Sequence, residues 1–172
     1  MSIYTLGPDD GTLSVHTERR GTVAKAGHDL MIHVKAWSAT LDLDAPRVTL
    51  DADATSLHVI EGKGGMMALG EDDRANIRQT IDDEVLKRHD IEFRSTSVER
   101  TNGGLTVRGD LTLVGTTRQV AFDLALDDGH VRGAAVVTQS EWGMKPYTAL
   151  FGALKVADEV RVEIDARLPQ SR

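Results

Sequence analysis

The sequence predicts an all-β fold with one inserted helix, its strands closing into an eight-stranded antiparallel β-barrel. Three observations carry that expectation. Apolar and polar residues alternate with period two in run after run of strand length, Gly, Asn and Asp punctuate the gaps, and one stretch, residues 71–88, abandons the alternation for a repeat of four. A barrel is preferred because closure leaves no unpaired edge strand. A two-sheet sandwich is the alternative architecture.

The elements follow in chain order. Thr12 to Glu18 alternates. From Met31 to Leu43 the apolar phase switches, from Ile32, Val34 and Ala36 to Ala39, Leu41 and Leu43, which predicts a bulge or sharp bend near Trp37. Val48 to Val59 changes phase between Ala54 and Leu57 and is expected to be a second long bent strand. Residues 71–88 lack Pro and Gly, and Ile77, Ile81 and Val85 recur at every fourth position, the pattern of an amphipathic helix. Glu71, Asp72 and Asp73 at its start and Lys87 and Arg88 at its end complement the helix dipole.

The second half is cleaner. Asp90 to Glu99 places Ile91 and Phe93 on one face. Leu105, Val107, Gly109, Leu111 and Leu113 share a face and, after Gly115-Thr116-Thr117, are answered by Val120, Phe122, Leu124 and Leu126, which makes a hairpin with one apolar side. Asn102-Gly103-Gly104 and Asp127-Asp128-Gly129 tolerate positive φ and are expected hairpin loops. Thr148 to Leu154 reads as a short helical turn or a covering loop. Val160, Val162, Ile164, Ala166 and Leu168 form the last alternating run. With no repeat, linker or low-complexity tract, residues 1–172 are expected to form a single domain with a helix at about 71–88.

Composition excludes several functions. The chain has 172 residues, no Cys and a formal charge of −7. Disulfides, thiolate metal ligands and Cys nucleophiles are absent, and without a cluster of Lys and Arg a nucleic-acid partner is not expected. No apolar run approaches the roughly 18 residues of a membrane-spanning helix. The N-terminal residues lack a basic stretch followed by an apolar run, so a cytoplasmic location is expected. Seven aromatic residues leave the core mainly aliphatic.

The run Gly109-Asp110-Leu111-Thr112-Leu113-Val114-Gly115-Thr116-Thr117-Arg118-Gln119-Val120 resembles the G-D-L-T-hydrophobic-x-G-x-T-R-x-V segment of the YceI family of lipocalin-like lipid-binding proteins. Lys25-Ala26-Gly27-His28, followed by a strand reaching Trp37-Ser38-Ala39-Thr40-Leu41, is similar to the family's lysine-and-histidine segment. Glu141-Trp142-Gly143-Met144 resembles its acidic-aromatic-Gly-hydrophobic turn, and Ala157-Asp158-Glu159-Val160 the lead-in to its closing strand. The likeness runs from about Tyr4 to Leu168. It implies a lipocalin-like barrel around an apolar tunnel for a polyisoprenoid, quinone-tailed or fatty-amide ligand, with His28 at the mouth or wall. The chain departs from the pattern around the helix, where Asn76-Ile77, Ile81-Asp82-Asp83 and His89-Asp90 replace His-Leu, Phe-Phe-Asp and Tyr-Pro, and at Gln139, where arginine is common.

Read residue by residue, little else suggests chemistry. His16, His28, His33, His58, His89 and His130 are scattered with no metal-ligand spacing, so no metal or cofactor is expected. Glu61-Gly62-Lys63-Gly64-Gly65-Met66-Met67 lacks the order of a phosphate loop and reads as a flexible loop whose Met66 and Met67 suit a lid over an oily ligand. The acidic pairs read as solvated faces, and there is no G-x-S-x-G elbow. Trp37, Trp142, Tyr147 and Phe151 are candidates for pocket wall or core anchor.

The expected function is therefore non-catalytic binding of a long-chain lipid or isoprenoid. Val34, Val107, Leu111, Leu113, Val120, Phe122, Leu124, Val162 and Ile164 are expected to line the interior, with Gly109, Gly133 and Ala135 leaving it room. The alternatives are a structural or interaction module with a filled core, for which a homodimer is the candidate assembly, and a hydrolase-type or metal-dependent enzyme on the same scaffold.

Overall fold

The structure, a computed structural model, describes residues 3–21, 28–63, 69–149 and 154–169. Strands β1 (Ile3–Leu6), β2 (Gly11–Thr17) and β3 (Arg19–Arg20) come first, then β4 (Asp29–Val34), β5 (Trp37–Asp42), β6 (Arg47–Ala52) and β7 (Leu57–Lys63). Helix α1 (Glu71–Thr80) separates these from β8 (Ile91–Thr101), β9 (Gly104–Leu113), β10 (Thr116–Asp127), β11 (His130–Thr138), β12 (Thr148–Ala149), β13 (Leu154–Val156) and β14 (Glu159–Arg167).

Eleven of these segments form one antiparallel sheet in the order β1-β5-β6-β8-β9-β10-β11-β14-β2-β4-β7. The sheet thus has eleven strands where the sequence predicts eight, because three of the expected long strands are broken at bends into pairs, β1 with β2, β4 with β5 and β6 with β7. The bends also close the sheet. The outer halves β4 and β7 pair at one end of the order while their continuations β5 and β6 pair at the other. The ladder continues through the bend: Lys35 N–H donates to Ser56 O at 2.8 Å and Asp53 N–H to Ala36 O at 3.0 Å. Ser56 Oγ accepts from Ala36 N–H at 3.1 Å and donates to Asp53 O at 2.7 Å, so these main-chain groups stay paired where the apolar phase switches.

The connections alternate between two ends. At one end are the turns β5–β6, β8–β9 and β10–β11. Two of them use the left-handed backbone the sequence suggests, Gly103 at φ 94° and Asp128-Gly129 at 50° and 76°. That end is plugged by Leu41, Val48, Phe93, Leu105, Val107, Leu124 and Val131. The other end carries α1, the β9–β10 turn and the β12–β13 hairpin. Residues 148–149 and 154–156 are strands that pair with each other and with β3, not the helical turn or loop expected there, because Lys155 and Val156 find unpaired backbone at Arg20 and Arg19.

The helix is shorter than expected. Gly70 N–H donates to the Asp73 carboxylate at 3.0 Å at its start, and α1 passes at Ile81–Val85 into a single π-helical turn, with Leu86 N–H donating to Ile81 O at 2.8 Å. Lys87 and Arg88 lie outside it in left-handed conformation, φ 51° and 58°, with Arg88 N–H bound to Asp82 O at 2.9 Å. Apolar residues repeating every fourth position drift around a helix of about 3.6 residues per turn. The wider π turn returns Val85 to the side of Ile77 and Ile81, and all three face the barrel interior.

Candidate functional site

Inside the barrel, between the plugged end and α1, lies a cavity of about 530 Å³ with an almost wholly apolar lining. Each wall strand contributes alternate residues. Leu111 and Leu113 come from β9, Val120, Phe122 and Leu124 from β10, Val162 and Ile164 from β14, and Val34 from β4, as their alternation predicts. Phe93 and Phe122, with ring centroids 5.3 Å apart at 55°, form the floor. Ile77, Ile81 and Val85 form part of the roof.

Three expected lining residues lie elsewhere. Val107, fully buried and cross-strand from Phe122 and Val98, belongs to the plug beneath the floor. Trp37, the first residue after the bend, packs in the core cluster that includes Leu6, Ala54 and Leu57. Trp142 is 3% exposed and held behind the wall by its indole N–H, which donates to Leu111 O at 2.9 Å. Met66, Met67 and Phe151 lie outside the described residues, as do Lys25, Ala26 and Gly27.

The glycines act differently from the expectation that they leave open space. A Cβ on Gly109 would stand 2.4 Å from Arg94 O and 2.6 Å from Cζ of Phe93, so its missing side chain is the seat of the floor ring. A Cβ on Gly133 would meet Leu124 Cδ2 at 2.5 Å. Gly133 and Ala135 nonetheless border the cavity.

Polar residues gather at the mouth. His28 lines it, over Gly62, where a Cβ would come within 2.3 Å of Leu69 Cδ1 and 3.4 Å of His28 Cβ. Arg19 lines it too, its Nη1 donating to Lys63 O at 3.1 Å and its main-chain N–H to Asp29 Oδ1 at 2.8 Å. Gln139, where the family commonly carries arginine, is buried at the rim and its side-chain amide donates to Ala157 O at 3.2 Å. Of these, Gln139 is marked in the sequence only as a departure from the family pattern, while Thr17 and Arg19 share one phase of an alternating run with Leu13 and Val15, which is the signal that points to them.

The remaining described histidines sit outside the lining. His16 pairs with Glu163 at 3.3 Å and His130 contacts Asp165. His33 faces His58 across β4 and β7, and both hold their protons less tightly than usual, chiefly through burial. Among the described residues no three His, Asp or Glu come together in a group that could hold a metal ion. No helix of the described residues is long and apolar enough to cross a membrane.

The fold is that of BcnA from Burkholderia cenocepacia, with a TM-score of 0.61 at 15% identity over 90% of this chain and 94% of that one. A mutant of the Campylobacter jejuni YCEI protein, solved with a monobromobimane guest, aligns with a TM-score of 0.52 at 14% identity over 81% of this chain and 85% of that one. No curated protein sequence matches the chain. The model of the YceI-like domain matches residues 4–168, nearly the whole length over which the barrel and its plug, floor and mouth are built, and the chain belongs to the YceI-like domain family.

Proposed function

We infer that the protein is a non-catalytic carrier of one long-chain apolar or amphiphilic molecule, a polyisoprenoid, isoprenoid quinone or fatty-acid-like compound, held in the barrel. The observation that carries this reading is the apolar cavity of about 530 Å³, floored at one end and polar at the other. Its size falls within the usual range of small-molecule sites, and its few polar groups at one end suit the orientation of a head group. Burial contributes roughly 0.8 kcal/mol per methylene against an association cost of about 4 to 15 kcal/mol, so the lining favours long chains over short ones.

Two further points support the reading over its alternatives. A module with a filled core has no use for an unfilled apolar space, whose walls forgo dispersion contacts. Among the described residues no Asp or Glu lines the cavity, so the paired carboxylates of an acid–base enzyme are not assembled there. The test is extraction of the purified protein into organic solvent followed by mass spectrometry, and then titration of the emptied protein with a fluorescent long-chain probe. Recovery or stoichiometric uptake of a long-chain molecule is expected. No recovered chain together with no uptake overturns the reading.

A further inference from the structure

The barrel wall is not hydrogen-bonded all the way round. The β9–β10 ladder runs through ten pairs, Thr116 to Ala125 on β10, and the β11–β14 ladder through nine, His130 to Thr138 on β11. The β10–β11 ladder between them has four and stops at Leu124–Gly133, although β10 extends toward the mouth through residues 116–123 and β11 through 134–138. Successive residues of an antiparallel strand turn their peptide groups to opposite sides. Leu126 N–H donates to Gly103 O and Gln139 N–H to Asp158 O, which sets the parity: Thr117, Gln119 and Ala121 of β10, and Ala134, Val136 and Thr138 of β11, turn theirs to the seam. Among the described residues these groups have no main-chain partner there. Buried peptide groups are rarely left unpaired, so the seam reaches water. It also reaches the cavity, because Ala134 is exposed on the outer face and yet borders the apolar space within. The lips are low and oily. Gly133, Ala134 and Ala135 carry at most one side-chain carbon each, Ala121 is exposed, and Val136, at 60%, is the most exposed large apolar side chain among the described residues. The Leu124–Gly133 pair bounds the seam on the side of the plug, and the short turn Gln139–Trp142, tied to Leu111 O, on the side of the mouth.

We propose that this seam is a lateral portal through which the apolar cargo enters and leaves the barrel while the α1 roof stays in place. The proposal rests on the carrier reading and adds the route. A chain that passes sideways between β10 and β11 breaks no ladder bond, because none is formed there, and it slides past carbon on both lips. The route over the top is obstructed. Lifting α1 would carry Ile77, Ile81 and Val85 from the cavity into water and break the bond from Arg78 Nη2 to Thr55 O at 3.1 Å. A portal also has a kinetic signature. Equilibrium does not depend on the path taken, so narrowing the seam slows entry and exit by the same factor and leaves the affinity where it was.

The chain has no Cys, so thiols can be placed singly. Extending the Leu124–Gly133 register sets Ala121 opposite Val136. The test bridges the folded double variant Ala121→Cys, Val136→Cys with a short bismaleimide and follows uptake and release of a fluorescent long-chain fatty acid by stopped flow. Two further bridges serve as comparisons: Ala125→Cys with Arg132→Cys, a pair inside the ladder, and Thr55→Cys with Arg78→Cys, which clamps α1 to the bend before β7. Bridging the seam is expected to slow uptake and release alike, by about tenfold or more, at unchanged affinity, while the other two bridges leave both rates within about twofold of the parent. Ala134→Trp, at an exposed position, narrows the seam without any bridge and is expected to slow both rates as well, so the outcome does not hang on the double variant folding. Rates unchanged by the seam bridge and by Ala134→Trp, or slowed as much by clamping α1 as by bridging the seam, overturn the portal and leave the carrier reading standing. Failure of the parent protein to take up the probe at all, with no chain recovered on extraction, overturns both.

Discussion

The indole N–H of Trp142 donates to the main-chain carbonyl of Leu111 at 2.9 Å, which ties the short turn after β11 to the last part of β9. Leu111 presents its side chain to the cavity, so a residue outside the lining holds a lining residue in place. Trp142→Phe removes the donor and part of a buried ring. A loss of about 2–3 kcal/mol is expected, from the unpaired carbonyl and the void together. Urea unfolding should show a lower midpoint at unchanged slope. A loss below about 0.5 kcal/mol would mean that the bond does not hold the wall.

Gly109 and Phe93 are matched in the same way. The ring tip occupies the place of a side chain at 109, and a Cβ there would also press within 2.4 Å of the Arg94 carbonyl oxygen and 2.7 Å of Ser95 Cα. Main chain cannot yield as a flexible side chain can. Gly109→Ala is therefore expected to cost about 2–3 kcal/mol and to raise the floor into the cavity, shortening the longest chain the protein accepts. Denaturant unfolding combined with titration of fluorescent long-chain probes of graded length checks both effects.

The sequence made most of the wall legible and little of the mouth. Alternation is local information: Leu111, Leu113, Val120, Phe122, Val162 and Ile164 each point inward because their neighbours along the strand point out. The phase switches near Trp37 and between Ala54 and Leu57 mark real bends, and those bends close the barrel. Depth along the barrel is not local. Val107 shares its phase with Leu111 but sits below the floor, a difference set by the cross-strand position of Phe122 and by Phe93 lying over Gly109. Trp37 and Trp142 looked like ligand contacts because large aromatic rings suit pockets. Their burial behind the wall depends on a bend and on a partner carbonyl thirty-one residues away. The β12–β13 hairpin was missed because such short strands carry too few residues to display a period.

A pH dependence follows from His33 and His58, which point away from the cavity on β4 and β7. Burial lowers the proton affinity of both. Lys35 and His16 add to the effect at His33, and Arg78 and Lys35 at His58, where Asp82 opposes it. Unfolded, each titrates near the ordinary 6.5, above its folded value. As pH falls through 6.5 the unfolded chain takes up protons first, so stability declines on acidification and is level above that range for these groups. Asp53 is held below the usual carboxylate range by hydrogen bonds from Thr55 and acts in a lower window. Its contribution is present above 3.8 and lost as pH falls through its folded value. Unfolding measured at about pH 5, 6, 7 and 8 should show the decline. The double variant His33→Asn, His58→Asn should flatten it, and an unchanged profile in that variant would assign the decline to other groups.

Ala135 borders the cavity and stands directly across from Val162 on β14. A phenyl group grafted there separates a hollow interior from a filled one. In a filled core the added bulk would force neighbours off their rotamers and cost roughly 1–3 kcal/mol or more. In a cavity of about 530 Å³ the ring has room and gains contacts with walls that otherwise lack them. Ala135→Phe is thus expected to leave stability within about 1 kcal/mol of the parent, while uptake of a fluorescent long-chain probe falls at least tenfold. The two readouts work together. Retained stability with lost uptake is the signature of an occupied tunnel, whereas a destabilised protein that binds the probe as before would place the ligand somewhere other than the barrel interior.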